Sequence, residues 1–229
     1  MSLLTPLLSA DPAAPRLTFY DDARGIRMDF SAQTLDNWAN KVANMLDDEF
    51  DLAPGAGPLL DLPVSWQQAV IAIGSLNASR TPLIDDSLNL SPATDAAIDS
   101  DLVFTTVEGA ERWPAVPDCV VVSDDPFGRG VVESGGELPV GAVDFGPTVR
   151  FYGDHYFGDS PELSQFADPA YEATRYLAQE WHDFDGFRSS VLAPLAAGGS
   201  VVVVAGLVSA ERLNEIAGIE KVERFINRA

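Results

Sequence analysis

Apolar residues along this chain recur with two periods. After Ser31 they fall at Leu35, Trp38, Ala39, Val42, Met45 and Leu46, the three-and-four spacing of one helix face. Ser31 stands where a helix cap belongs. The same spacing marks Trp66, Ala69, Val70, Ile73 and Leu76 after Ser65, and Leu213, Ile216 and Ala217 after Ser209. Apolar-rich runs at 59–62, 101–104, 119–122 and 200–204 read as strands buried on both faces, as in parallel sheets. Residues 17–20 and 27–30 flank the turn-forming Asp21, Asp22 and Gly25 and predict an antiparallel hairpin. Further strands are expected at 81–84, 148–152 and 222–226, and a weak helical turn near 108–112.

Proline and glycine punctuate the rest. Ser91-Pro92 suits a helix start, because proline is tolerated at the first helical position. A helix opening at Ser160-Pro161 or Asp168-Pro169 would place Tyr171, Thr174, Leu177, Ala178 and Trp181 on one face. Residues 187–197 predict an apolar helix that Pro194 kinks or shortens and Gly198-Gly199 ends. The alternation predicts an α/β fold, a mostly parallel sheet with helices on both faces plus an N-terminal antiparallel hairpin. A single domain over residues 1–229 is the expected organisation.

Composition narrows the function classes. Apolar residues make up 46% of the chain, enough for a core despite 16 prolines. Acidic residues outnumber basic ones 35 to 14, for a net charge of −21. Such a chain has no basic surface to displace the counterions of nucleic acid or to meet an anionic membrane, so neither is an expected partner. Cys119 is the single cysteine. It excludes an intramolecular disulfide, and its apolar run reads as a buried structural thiol. The N-terminus lacks a basic leader region, and no apolar run reaches about 18 residues. A cytoplasmic setting is expected.

Candidate chemistry concentrates at 149–161, which carries one of two histidines and a dense set of aromatics, aspartates and glycines. Tyr152, Asp154, His155, Tyr156 and Asp159 are candidate ligand-binding residues there, as a strand-to-helix connection is where α/β proteins bind ligands. His182, beside Asp183 and Asp185, is the candidate from a second loop. Were the loops to converge, His155, His182 and an aspartate have the chemistry to ligate a divalent metal. His155 with Asp159 as orienter has that of a general base. Against both, aspartate beside histidine is expected by chance in so acidic a chain, and neither a catalytic residue nor a metal site is assigned. Ser189 and Ser190 lack a nucleophile-elbow pattern, and Gly128, Gly130, Gly135 and Gly136 do not make a strand-bound phosphate fingerprint. Tyr152, Tyr156 and Phe157 either line a pocket for an acyl or aryl group or pack their loop onto the sheet; packing is the expectation. Trp38, Trp66 and Trp181 are expected to be buried, and Trp113, before Pro114, to be more exposed and to mark an interface.

Three segments together resemble the acyl-adenylate-forming superfamily of acyl-CoA synthetases, peptide-synthetase adenylation domains and luciferases. They are L-T-F-Y with M-D-F-S-A-Q-T-L-D-N-W-A-N-K-V-A-N-M-L (17–46), I-A-I-G-S-L-N-A-S-R-T-P-L-I-D (71–85) and V-L-A-P-L-A-A-G-G-S-V-V-V-V (191–204). The chain is also similar to a small group of short actinobacterial relatives of that superfamily. The resemblance implies the fold of the first part of the large domain. It also implies that 151–160 occupies the position of the family's phosphate loop, a Tyr-Thr-Ser-Gly-Thr-Thr-Gly-x-Pro-Lys run. Here that position holds no threonine and no lysine, and two aspartates stand in it. Carboxylates facing a triphosphate repel it unless a metal bridges them. The chain also stops before the family's later nucleotide-binding motifs and its small C-terminal domain.

The expected function is therefore a non-catalytic relative of acyl-adenylating enzymes, a binding or protein-interaction module with a degenerate phosphate loop. No cofactor is expected, ATP and AMP included. The expected partners are a second copy of the chain, as a homodimer, or another protein, because a shortened domain exposes surface that larger relatives bury. The competing reading is a small-molecule-binding protein, or a hydrolytic or metal-dependent enzyme, using the 152–159 and 182–185 loops.

Overall fold

A computed structural model of the chain describes residues 1–84 and 100–226; the helix expected at Ser91-Pro92 lies outside them. The described residues form α1 (Thr5–Ala10), β1 (Pro15–Asp21), β2 (Ile26–Ser31), α2 (Ala32–Asp48), β3 (Leu59–Asp61), α3 (Trp66–Asn77), β4 (Leu102–Thr105) and β5 (Asp118–Val121). There follow β6 (Val143–Asp144), α4 (Phe145–Phe151), β7 (Arg175–Ala178), α5 (Phe184–Phe187), α6 (Ala193–Ala196), β8 (Ser200–Ala205), α7 (Ala210–Ile219) and β9 (Arg224–Phe225). The fold is α/β, with mostly parallel strands and an antiparallel hairpin near the N-terminus. The strands fall into two sheets rather than one. The chain divides into two compact units, one of Met1–Ser2 with Asn37–Ser160, the other of Leu3–Asp36 with Pro161–Ala229.

In the first unit β3, β4, β5 and β6 form an all-parallel sheet in that order. Beside it α3 is buried on every side, from Trp66 to Asn77, where its apolar spacing predicts a single buried face. Such burial requires each polar side chain to find a partner. Gln67 donates to the Asp125 carbonyl, Gln68 to the Leu62 carbonyl, and Ser75 to the Ile71 carbonyl. Ser65 caps the helix by accepting from Gln68 N at 3.1 Å. Close approach to α2 depends on Gly74, where an added Cβ would stand 2.5 Å from Val42 Cβ.

The second unit carries a five-stranded sheet in the order β2-β1-β8-β7-β9, parallel except for β2. Its hairpin turn is closed by Asp21, whose carboxylate accepts from Arg24 N, and by Gly25 at φ +66°, a conformation that favours glycine. One sheet face, with Tyr20, Leu177, Val202 and Val204, packs on Ile216 and Ala217 of α7. Glu220, just past α7, lies buried against this sheet. It accepts from Tyr20 Oη at 2.5 Å, Arg27 Nε at 2.8 Å and Arg175 Nη2 at 2.7 Å. Burial alone would push the carboxyl up; the hydrogen bonds from Arg27, Tyr20 and Arg175 outweigh it and hold the group at about 2.

The hairpin, α2, α3, α7 and most strands stand where the hydrophobic pattern predicts them. Five expectations are corrected. Residues 145–151 are helix, not the end of a strand at 148–152. Phe145 and Val149, four apart, are buried together, and Arg150 reaches the Gly128 carbonyl and the Glu133 carboxylate. The helix expected from Ser160-Pro161 or Asp168-Pro169 gives way to β7. β7 lies between β8 and β9, and its successive side chains Tyr176, Leu177 and Ala178, which alternate faces, are all buried: Leu177 packs with Ile216 of α7, and Tyr176 meets the Tyr171 ring at 5.3 Å. Residues 81–84 contribute one bridge, Leu83 to Leu59, rather than a strand. Trp113 is a core residue packed with Leu59 and Val103, not an exposed one. Trp66 and Trp181 are buried as expected; Trp38 is half-buried and meets Trp66 edge to face at 5.1 Å. The apolar helix before Gly198 is interrupted by a π turn, Arg188–Leu192, ahead of Pro194. Proline has no N–H to give and its ring crowds the preceding turn, so the backbone widens there.

Candidate functional site

The stretch that concentrates candidate chemistry belongs to the first unit and follows a helix, α4, rather than a strand. From Tyr152 it runs as an irregular strap along the C-terminal half of α2. The α2 side chains that hold it are spaced at 40, 41, 44 and 47. Lys41 Nζ donates to the Tyr152 carbonyl at 2.6 Å, and Asn40 Nδ2 to the Asp154 carbonyl at 3.0 Å. Asn44 Nδ2 donates to the Gly153 and His155 carbonyls at 2.9 and 3.0 Å. Past the end of α3, Ser79 donates to the Asp159 carbonyl at 2.7 Å, and Ser160 to the Asn77 carbonyl at 2.6 Å. Asn77 completes the frame by donating to Asn40 Oδ1 at 2.6 Å.

The side chains of the strap alternate. Tyr152, Asp154 and Tyr156 are half-buried, and Phe151, His155, Phe157 and Asp159 are exposed. The two phenols do not pack onto a sheet. Tyr156 donates to Asp47 Oδ2 at 2.6 Å, and Tyr152 donates to Glu49. Burial, then the Glu49 carboxylate, pushes the Tyr152 phenol up to about 12; burial and Asp47 raise Tyr156 likewise. Phe157 is 94% exposed. His155, its side chain 83% exposed, has Nδ1 3.0 Å from Asp154 Oδ1, so Asp154, not Asp159, is its neighbour. The backbone N–H groups of 153–160 donate to no acceptor among the described residues.

The six candidates divide between the two units. Tyr152, Asp154, His155, Tyr156 and Asp159 share the strap, while His182 belongs to the other unit. There Asp183 caps α5 by accepting from Gly186 N at 2.6 Å, and the Asp185 carbonyl accepts from Ser189. Among the described residues no group of three or more His, Cys, Asp or Glu side chains is placed to hold a metal ion. Asn40, Lys41, Asn44, Asp47 and Ser79 escaped the sequence reading. The signal for the four on α2 was a polar stripe at helical spacing, opposite the apolar one.

Two other polar clusters stand at the carboxyl ends of the parallel strands in the first unit, the usual ligand edge of such sheets. Asp61, at the end of β3, is buried, and its Oδ2 accepts from Thr105 Oγ1 at 2.7 Å, Arg112 Nη2 at 2.6 Å and Trp113 Nε1 at 2.7 Å. Beyond β5, three successive N–H groups converge as a nest of the kind that binds anions. Gly130 N donates to Glu133 Oε2 at 2.6 Å, and Val131 N and Val132 N donate to the Asp144 carboxylate at 3.0 and 3.3 Å. The Arg150 guanidinium holds Glu133 and keeps its carboxyl below the ordinary glutamate value. The carboxylates of both clusters are met by the chain's own donors. Cys119 is half-buried against Leu59, Val103 and Trp113, and burial raises its thiol.

No protein-family model matches the chain. A TIGR03089 family protein of Mycobacterium tuberculosis (strain ATCC 25618 / H37Rv) is 35% identical over 243 residues, covering 98% of this chain and 96% of that one. The chain belongs to the TIGR03089 family. Solved structures show the fold of the chain. An acyl-CoA synthetase of Brucella canis superposes on 98% of the chain with a TM-score of 0.78 at 13% identity. The anthranilate CoA ligase AuaEII, solved with anthranoyl-AMP, does so over 98% with a TM-score of 0.70 at 12% identity. The chain spans about half of each, 47% and 48% of their lengths. This TIGR03089 chain therefore has the α/β fold of the N-terminal part of an acyl-CoA synthetase. No described helix is long and apolar enough to cross a membrane.

Proposed function

We propose that this TIGR03089 protein is a non-catalytic relative of acyl-adenylating enzymes that works as a binding or protein-interaction module, with its own copies or another protein. One observation carries the reading. The segment resembling the phosphate loop has its carbonyls anchored on α2, and Lys41, the cation beside it, donates to the Tyr152 carbonyl at 2.6 Å. Holding a triphosphate takes charge-assisted donors; this segment offers the carboxylates of Asp154 and Asp159 instead. A cytoplasmic setting belongs to the proposal, since a chain with one cysteine draws nothing from an oxidising compartment.

Calorimetric titration with ATP and Mg²⁺ tests it, together with an adenylate-formation assay over aliphatic and aromatic carboxylic acids. No saturable heat and no adenylate are expected. Saturable ATP binding or any acyl-adenylate would overturn the reading. One feature favours the competing ligand-binding or hydrolytic reading, the Asp154–His155 pair at 3.0 Å. That pair leaves the imidazole exposed, and among the described residues no serine, threonine or cysteine is hydrogen-bonded to it.

A further inference from the structure

The strap is fixed on one side and open on the other. Its carbonyls are held by α2 and by Ser79, and the phenols of Tyr152 and Tyr156 by Glu49 and Asp47. Its odd-numbered side chains Phe151, His155, Phe157 and Asp159 are exposed, and the N–H groups of 153–160 donate to no acceptor among the described residues. Two of those side chains are phenylalanines, Phe151 at 87% exposure and Phe157 at 94%. Single exposed apolar side chains are ordinary on a surface; here two aromatics, six residues apart, flank one segment anchored by its carbonyls. Phe151 meets the Tyr152 ring edge-on at 5.8 Å, and neither phenylalanine is among the buried residues of the core.

The surroundings decide what kind of surface covers them. Asp48, Glu49 and Asp51 at the end of α2 are exposed, as is Asp159, and Asp154 is half-exposed. The phenols of Tyr152 and Tyr156 are each raised in part by these acids, Asp48 and Asp159 among them, which places the carboxylates at the strap. The cations nearby are engaged: Lys41 with the Tyr152 carbonyl, Arg80 with Asp47 and the Ala53 carbonyl. A second copy of so acidic a chain would bring like charge to the patch. An apolar ligand alone would leave the carboxylates and the N–H groups unanswered.

We infer that the face built by the 151–159 strap and the end of α2 is a docking surface for a basic peptide segment of a partner protein, one that alternates cationic and apolar side chains. Its apolar side chains meet Phe151 and Phe157, its lysines or arginines meet Asp154, Asp159 and Glu49, and its carbonyls accept from the open N–H groups. Extended segments commonly bind in this manner, with main-chain bonds for affinity and alternate side chains for specificity. The inference rests on the protein-interaction reading above and names one surface within it.

The test uses fluorescence anisotropy of a labelled ten-residue peptide alternating lysine and leucine against the full chain. A glutamate–leucine peptide is the charge-reversed control. Saturable binding of the lysine–leucine peptide is expected, weakening as salt screens the pairs, with none of the glutamate–leucine peptide. Phe151→Ser with Phe157→Ser should weaken binding roughly tenfold, the loss of two buried aromatic anchors. Asp154→Asn with Asp159→Asn should weaken it several-fold and flatten the salt dependence. Glu108→Gln with Glu137→Gln, an equal change of charge at exposed acids elsewhere in the first unit, should leave it unchanged. Equal weakening by this last pair means that binding follows net charge alone and overturns the inference; so does undiminished binding by the phenylalanine pair, or no binding by the parent. None of these outcomes bears on ATP binding, so the non-catalytic reading stands or falls separately in its own titration.

Discussion

Replacing Glu220 by glutamine separates the second unit's charge network from its shape. Glutamine keeps the volume and one acceptor, but it removes the charge that Arg27, Arg175 and Tyr20 surround. A carboxyl held at about 2, against an ordinary glutamate near 4.5, sets a ceiling of about 3 kcal/mol on the stabilisation. Arg27 is 44% exposed, so solvent screens part of it, and about 2 kcal/mol is the expected loss for Glu220→Gln at neutral pH. The pH dependence follows from the depressed value. The stabilisation is fully present above the ordinary glutamate range and fades as pH falls toward 2. Urea unfolding followed by circular dichroism should therefore show a gap between parent and variant that is steady from neutral pH to about pH 5 and roughly halved by about pH 3. A variant as stable as the parent at pH 7 would refute the assignment. A gap that stays constant through the acid range would show that shape, not charge, holds the network.

Two further substitutions probe the first unit. Gly109→Ala would place a Cβ 2.0 Å from Thr105 Oγ1 and 2.9 Å from Arg112 Nη2, inside the Asp61 cluster; a loss of about 2 kcal/mol or more, read as a fall in melting temperature, is expected, and an unchanged melting temperature would show that the cluster yields. Asn44→Ala removes the donor to the Gly153 and His155 carbonyls. About 1–2 kcal/mol of local anchoring should go, seen as faster chymotrypsin cleavage after Tyr152, Tyr156 and Phe157 with little change in global melting, and unaltered cleavage would mean the strap is held by other contacts.

The elements that depend on local pattern were legible in the chain. Ser31, Ser65 and Ser209 precede helices because a hydroxyl there accepts from an N–H three residues on, and the sequence carries both the cap and the spacing. The hairpin turn, with Gly25, is equally local. The absence of threonine and lysine from 151–160 is plain in the residues, and it bears on the chemistry whatever the fold. Tertiary structure decided the rest. Tyr176 to Ala178 satisfy helical spacing, and become a strand only because β8 and β9 flank them. Phe145 and Val149 form a helix because they are buried together, although the run into Tyr152 reads as extended. Trp113 is apolar before a proline and looks exposed until its indole N–H meets the buried Asp61. Above all, the strap's polarity suggests a site, but which of its atoms face protein and which face water depended on Asn40, Lys41 and Asn44, more than a hundred residues earlier in the chain. Pattern along a sequence determines which faces are apolar; only the folded chain determines what each polar atom is left to bind.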